Sequence, residues 1–394
     1  MNREIEEYSF VLDIKQDIID DVKNRLRNSR ISKDIENDNW RYGTEESYLR
    51  ELIHYWINNY DWKLHEKEIN KFSHYKTKID NIPIHFIYEK GSGKNPKPLI
   101  LTHGWPWTFW DYKKIIYPLA HPEKYGGKEE DSFDVIVPSL PGYGFSTPLE
   151  ETGINFWKTS DLWVSLMKDF LGYEKFFAHG GDWGSLVTFQ LGHKYSKIVP
   201  AIHTHTTIDL DFFGKPYPEE KEFSLDEKKL YQRNLEFWTE GNGYFQIQAT
   251  KPQTLAYGLN DSPLGLCAWL IEKRKSWGDC GSNIENRFSK DDLINTTMLY
   301  WLSESFGTSA RYYYEAVHNP WKPSHNRIPK VESAVGITVF EGDIIFRPKK
   351  LMEQENNIQH WNISKKGGHF APMEEPDFLI KEIRDFFRSY RDLI

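Results

Sequence analysis

The segment Gly180-Gly181-Asp182-Trp183-Gly184 sets one acidic side chain between small residues two places before it and two places after it. An apolar strand-like run, KFFAHG, leads into it, and a helix-forming run opens at Trp183. That is the nucleophile-elbow pattern with Asp in place of Ser. The glycines are needed because the turn is sharp and its central residue strained, which leaves no room for Cβ atoms beside it. The carboxylate at 182 is thereby thrust clear of the backbone.

Chain order supplies the partners, since an elbow of this kind is followed by an acid and then by a histidine. Asp343 directly follows the apolar run VGITVFEG, and His369 lies 26 residues later in the loop GGHFAP. Glu341, two residues before Asp343, is a second carboxylate that could orient the imidazole. Asp343 is preferred, because strand alternation continues past Glu341 and the orienting group belongs in the loop. Taken singly, an aspartate in a loop is usually a cap and a histidine usually a surface or satisfied core residue. The joint order and flanks carry the assignment.

The nucleophile restricts the reaction. A carboxylate that attacks saturated carbon forms an alkyl ester, which water can then cleave at its carbonyl, whereas a serine alkoxide would leave an inert ether. No G-x-S-x-G occurs in the chain. Aspartate thus points to substitution at sp³ carbon, as in epoxide opening or halide displacement, with His369 as the base for water. Backbone N–H donors for the developing oxyanion are expected at Trp183 and at Trp105, in the loop His103-Gly104-Trp105-Pro106 after the apolar run LILTHG.

These residues need a scaffold, and its elements are readable. Strand-like runs PIHFIYEK, LILTHG, DVIVPSL, KFFAHG and VGITVFEG alternate with helical stretches, among them one around residues 156 to 171. That alternation predicts an α/β fold with a mostly parallel sheet covered by helices on both faces. Between Thr206 and Asn319 the sequence is helical, aromatic and polar with no convincing strand. Residues 1–82 are therefore expected to be a helical extension wrapping the core, 83–205 and 320–394 the two parts of the core, and 206–319 a helical lid. In the extension, Ile14, Ile18, Ile19, Val22 and Leu26 recur at helical spacing behind Asp13 as a cap, and Leu49, Leu52, Ile53 and Trp56 form a second stripe. The chain closes with a short strand near Trp361 and an amphipathic helix carrying Leu379, Ile380, Ile383 and Phe387.

Composition sets bounds on partners. With 394 residues, 39% hydrophobic and 27% charged, the chain can bury a sizeable core. A formal charge of −8 argues against a phosphate-binding surface, so no nucleic-acid partner is expected. The 15% aromatic content, with 15 Trp, suggests a cavity walled by rings. Cys267 and Cys280 read as free thiols, and the start MNREIEEYSF has the apolar run of neither a signal peptide nor a membrane anchor. A soluble, cytoplasmic protein follows, with a homodimer compatible with it. Gly91, Gly93 and Lys94 fall short of a phosphate loop, because its first glycine and its Ser/Thr are missing and Pro96 and Pro98 forbid an immediate helix. His203 and His205 share a strand face near Asp209 and Asp211. The ordinary reading, polar residues bordering a cavity, is preferred to a metal site.

At this point the chain resembles the microsomal-type epoxide hydrolases over nearly its whole length. The HGWP loop, PSLPGYGFSTP, GGDWG, GYFQIQATKPQT, NDSPLGL and GGHFAPMEEP look like family motifs in family order, and WRYGTEESYLRELIHYWINNYDW looks like the family's N-terminal region. The resemblance implies an α/β-hydrolase fold, a small-molecule epoxide substrate, a detoxification role, no metal or organic cofactor, and two lid tyrosines that hydrogen-bond the epoxide oxygen. Tyr244 matches the first; Tyr313 best matches the second, among Tyr312, Tyr313 and Tyr314. Without the family, tyrosines in an aromatic lid are more often packing. The chain departs from the family at Trp107, where Gly is usual, and a ring there is expected to narrow the substrate pocket formed with His103 and Pro106. Asp343 stands where mammalian relatives have Glu, and their membrane anchor is not found. The rival readings are a haloalkane or haloacid dehalogenase with the same nucleophile, and a ligand-binding protein without catalysis.

Overall fold

In the computed structural model, which describes residues 5–394, eight strands form one sheet in the order β1-β2-β4-β3-β5-β6-β7-β8. The strands are β1 (His74–Ile79), β2 (Ile82–Glu89), β3 (Lys97–Thr102), β4 (Phe133–Pro138), β5 (Phe177–Gly180), β6 (Ala201–Thr204), β7 (Val331–Gly342) and β8 (Asn356–Gly368). β1, β2 and β4 pair antiparallel, and every pairing from β4 through β3 to β8 is parallel. Every residue of β3, β4, β5 and β6 is buried, as a parallel sheet covered on both faces requires. This is the mostly parallel α/β architecture that the alternation predicted, and the α/β-hydrolase fold that the resemblance implied.

The site residues all leave this sheet at its carboxyl edge. Asp182 follows β5, Thr206 follows β6, Asp343 follows β7 and His369 follows β8, and neighbouring strands bring the four loops together. That edge is where open α/β sheets bind ligands. Between β6 and β7 the chain is helical, with six α-helices from Lys228–Glu236 to Phe306–His318.

The elements depart from expectation in three places. The first helix runs over Gln16–Arg27 with Lys15 before it, and Asp13 instead pairs with Lys63 at 3.3 Å. Its buried stripe is Ile19, Val22 and Leu26, while Ile18, 100° earlier around the helix, is 42% exposed. β1 lies in the stretch expected to be helical; its sequence HYKTKI carries too many polar residues to read as a core strand, and it sits at the sheet's edge. β8, expected to be short, spans 13 residues because it pairs along nearly all of β7.

Candidate active site

Asp182 is held at φ 53°, ψ −125°, a conformation that L residues rarely adopt. It persists because its surroundings over-determine it. A Cβ at Gly184 would overlap the carbonyl of Thr102 in β3, and one at Gly104 would overlap the Asp182 carboxylate itself. Two glycines thus let the helix Trp183–Lys194 pack on β3 and let the Gly104-Trp105 backbone close over the acid.

Asp182 Oδ1 accepts a 2.7 Å hydrogen bond from the Trp105 backbone N–H. Asp182 Oδ2 lies 3.4 Å from His369 Nε2, close enough for ion pairing though not a directed hydrogen bond. His369 Nδ1 bonds Asp343 Oδ1 at 2.7 Å, and the same oxygen accepts the Ile344 N–H at 2.6 Å. Glu341 makes no such contact; Asp343 is the carboxylate that meets the imidazole. Burial alone would push the imidazole down, but the carboxylates of Asp343 and Asp182 outweigh it and hold His369 up at about 9.

Thr206 ties the acids together from outside the expected set. Its hydroxyl donates to Asp343 Oδ2 at 3.2 Å and accepts the Asp182 N–H at 3.2 Å. Trp277 was equally unforeseen. Its carbonyl accepts the His369 N–H at 3.0 Å and its ring meets the imidazole edge-on at 5.2 Å. Neither residue carries a sequence signal, because both meet the site through tertiary contacts.

Above Asp182 lies a small cavity of about 30 Å³, in which Asp182, Tyr244 and Tyr313 are the only oxygen-bearing side chains in an otherwise apolar, mostly aromatic wall. Tyr244 stacks on the Trp105 indole at 5.0 Å and 3°, and Tyr313 stands edge-on to Trp183 at 4.7 Å. Burial and then Asp182 push the Tyr244 phenol up; burial, Tyr244 and Asp182 do the same to Tyr313. The buried Tyr313 hydroxyl has no hydrogen-bond partner among the described residues. Tyr312, by contrast, is bonded to Thr159 at 2.8 Å, and Tyr314 stacks on His318. Of the three adjacent tyrosines, Tyr313 is the one that faces Asp182.

Models of known families match both ends of this architecture. The "Epoxide hydrolase N terminus" model matches residues 7–112 and the "alpha/beta hydrolase fold" model residues 97–376. A putative epoxide hydrolase of Stigmatella aurantiaca is 35% identical over 97% of this chain and 85% of its own length. The chain belongs to the epoxide hydrolase family. Epoxide hydrolase 1 of Sus scrofa is 33% identical over 96% of the chain and 87% of its own. Among solved structures, the epoxide hydrolase of Aspergillus niger superposes with TM-score 0.84 at 27% identity, covering 97% of this chain and 96% of that one. The juvenile hormone epoxide hydrolase of Bombyx mori gives 0.83 at 26%, covering 98% and 95%.

Within this epoxide hydrolase family site, three expected pocket residues lie elsewhere. Trp107 does not narrow the cavity: its fully buried ring stacks on His205 at 5.4 Å and meets His369 edge-on at 5.5 Å. Stacking on His205, which follows β6, sets it beside the imidazole. His103 joins two loops, accepting the Leu140 N–H at 3.1 Å, and burial holds it down at about 4. Pro106 offers only its carbonyl, to Arg274 at 3.5 Å. None of the three lines the cavity.

Of the four residues weighed as metal ligands, the two histidines separate from the two aspartates, whose carboxylates stay within 4.8 Å of each other and of Glu355. His205 and His203 each bond His179, at 3.2 and 3.0 Å. Asp209 and Asp211 face cations, with Arg347 2.7 Å from Asp209 and Lys215 2.8 Å from Asp211. Among the described residues no helix is long and apolar enough to cross a membrane.

Proposed function

We propose that this protein hydrolyses a small-molecule epoxide to a vicinal diol through a covalent ester on Asp182. The observation that carries the reading is one cavity in which Asp182 stands 3.4 Å from His369 Nε2 and faces two tyrosine side chains. Asp182 Oδ2 attacks a ring carbon while Oδ1 stays on the Trp105 N–H. The C–O bond of the epoxide breaks, and Tyr244 and Tyr313 supply the proton its oxygen needs, since an alkoxide is otherwise a poor leaving group. Water then adds to the ester carbonyl as His369, oriented by Asp343, takes its proton. The N–H groups of Trp105 and Trp183 hold the oxyanion, the latter being one of those a helix start leaves free. Collapse of the tetrahedral intermediate breaks the bond between the Asp182 carboxyl carbon and the substrate oxygen, which takes the second proton of the added water; the diol departs, and return of the imidazolium proton to the phenolate closes the cycle.

Carboxylate, imidazole and phenols supply nucleophile, base and acid, so the chemistry calls for no metal or organic cofactor. The paired phenols favour an oxygen leaving group over a halide. In the same reading residues 206–319 act as the lid, 1–82 as the extension that wraps the core, and the protein works in the cytoplasm.

The test is mass spectrometry of Asp182→Ala and His369→Gln incubated with styrene oxide. The first should give neither diol nor adduct, and the second should accumulate an adduct of substrate mass at Asp182. Halide release from chloroalkanes without diol from epoxides would support the dehalogenase instead.

A further inference from the structure

The helix Pro263–Trp277 carries one cation in an unusual place. Lys273 is buried, with 6% of its surface exposed, and its Nζ sits 5.6 Å from the ring centre of Tyr244 and 4.7 Å from that of Trp269. An ammonium over an aromatic face is attracted by the ring's negative π density, most strongly when both are out of water. Its ionic partner is the adjacent Glu272, which is partly exposed; among the described residues no other acidic group pairs with it. The same phenol ring is stacked on the Trp105 indole, with ring centres 5.0 Å apart. The phenol therefore has both a neutral ring and a positive charge close to it.

Tyr244 needs that charge. Burial and the Asp182 carboxylate both hold the proton on its oxygen, which opposes its work as a donor. A cation beside the ring works in the other direction, because it stabilises the phenolate that forms as the proton moves from Tyr244 Oη to the epoxide oxygen.

We propose that Lys273 is a positioning residue that strengthens Tyr244 as the proton donor for ring opening, acting through the face of its ring. The inference rests on the reading of Tyr244 given above. It predicts an effect on the first chemical step alone, since water attack on the ester uses His369. It also predicts a pH signature. Burial pushes the Lys273 ammonium down to about 7. Ring opening is thus fastest where Lys273 is charged and declines as pH rises and the charge is lost.

Single-turnover experiments with styrene oxide, quenched and read by mass spectrometry, separate adduct formation from adduct breakdown. Lys273→Met should slow formation by roughly threefold to thirtyfold, the range of a cation–π contact, and leave breakdown unchanged. Lys273→Arg, which keeps its charge at every accessible pH, should retain the rate and abolish the decline above about pH 7. Wild-type formation rates in the methionine variant, or equal slowing of both steps, would overturn the proposal, as would an arginine variant whose alkaline decline is unchanged. Should the methionine variant not fold, the arginine pH profile decides alone. If the wild-type protein forms no aspartyl adduct at all, the proposed function itself fails, which is a separate result.

Discussion

Asp182 Oδ2 and His369 Nε2 stand 3.4 Å apart, so the nucleophile is also the second counter-ion of the base. In the resting protein the two carboxylates hold the imidazole at about 9, and a charged imidazole cannot accept a proton from water. Esterification removes the charge on Asp182 and with it part of what holds His369 up. In the proposed mechanism the base is therefore switched on by the first chemical step. Asp182→Asn mimics that loss of charge, and NMR titration of the His369 ring should show its pKa well below the wild-type value. An unchanged titration would mean that Asp343 alone sets it.

The same coupling has a sign in stability. A histidine raised from 6.5 to about 9 on folding contributes stability that is fully present below pH 6.5 and is lost as pH rises towards 9. Urea unfolding at pH 6 and at pH 9 should therefore show a wild-type decrease that is smaller in Asp182→Asn.

The three adjacent tyrosines give a controlled comparison. Tyr313→Phe removes an unpartnered hydroxyl facing Asp182, so ring opening should slow by roughly tenfold to a hundredfold with little change in stability. Tyr312→Phe breaks the bond to Thr159 and should cost about 1 kcal/mol while leaving turnover near wild type. Stopped-flow rates with thermal melts distinguish the two; slow ring opening in the Tyr312 variant would move the donor role to that residue.

Thr206 is a brace for two acids, donating to Asp343 and accepting from the Asp182 amide. Thr206→Val keeps the shape and removes both bonds, leaving a buried N–H without its acceptor. We expect a loss of about 1–3 kcal/mol in urea unfolding and a lower kcat with KM little changed. Thr206→Ser should restore most of both.

How much of this could be read beforehand follows from where each signal lives. Asp182, Asp343 and His369 announce themselves because a parallel sheet delivers successive strand ends to one edge, which makes chain order a proxy for position. Thr206 and Trp277 do not, because a hydroxyl and an indole acquire meaning only from atoms distant in sequence. Choosing among Tyr312, Tyr313 and Tyr314 needed the helix phase, since neighbouring helical residues point about 100° apart. Ile18 was misplaced for the same reason, one residue off the buried stripe.

Trp107 offers the sharpest separation of packing from specificity. A tryptophan on the loop that covers the nucleophile invites the expectation of a smaller pocket, yet its ring is fully buried among His205, His369 and Phe370 and does not line the cavity. Replacing it with Gly should leave a void behind the imidazole and cost about 3–5 kcal/mol, with a flexible loop residue adding to the loss. A looser wall behind His369 should slow ester hydrolysis more than ring opening, because only the second step depends on where the imidazole points. The ranking of kcat/KM across small and bulky epoxides should stay as in the wild type. A variant that gains bulky substrates while keeping its stability would put the Trp107 ring in the pocket after all.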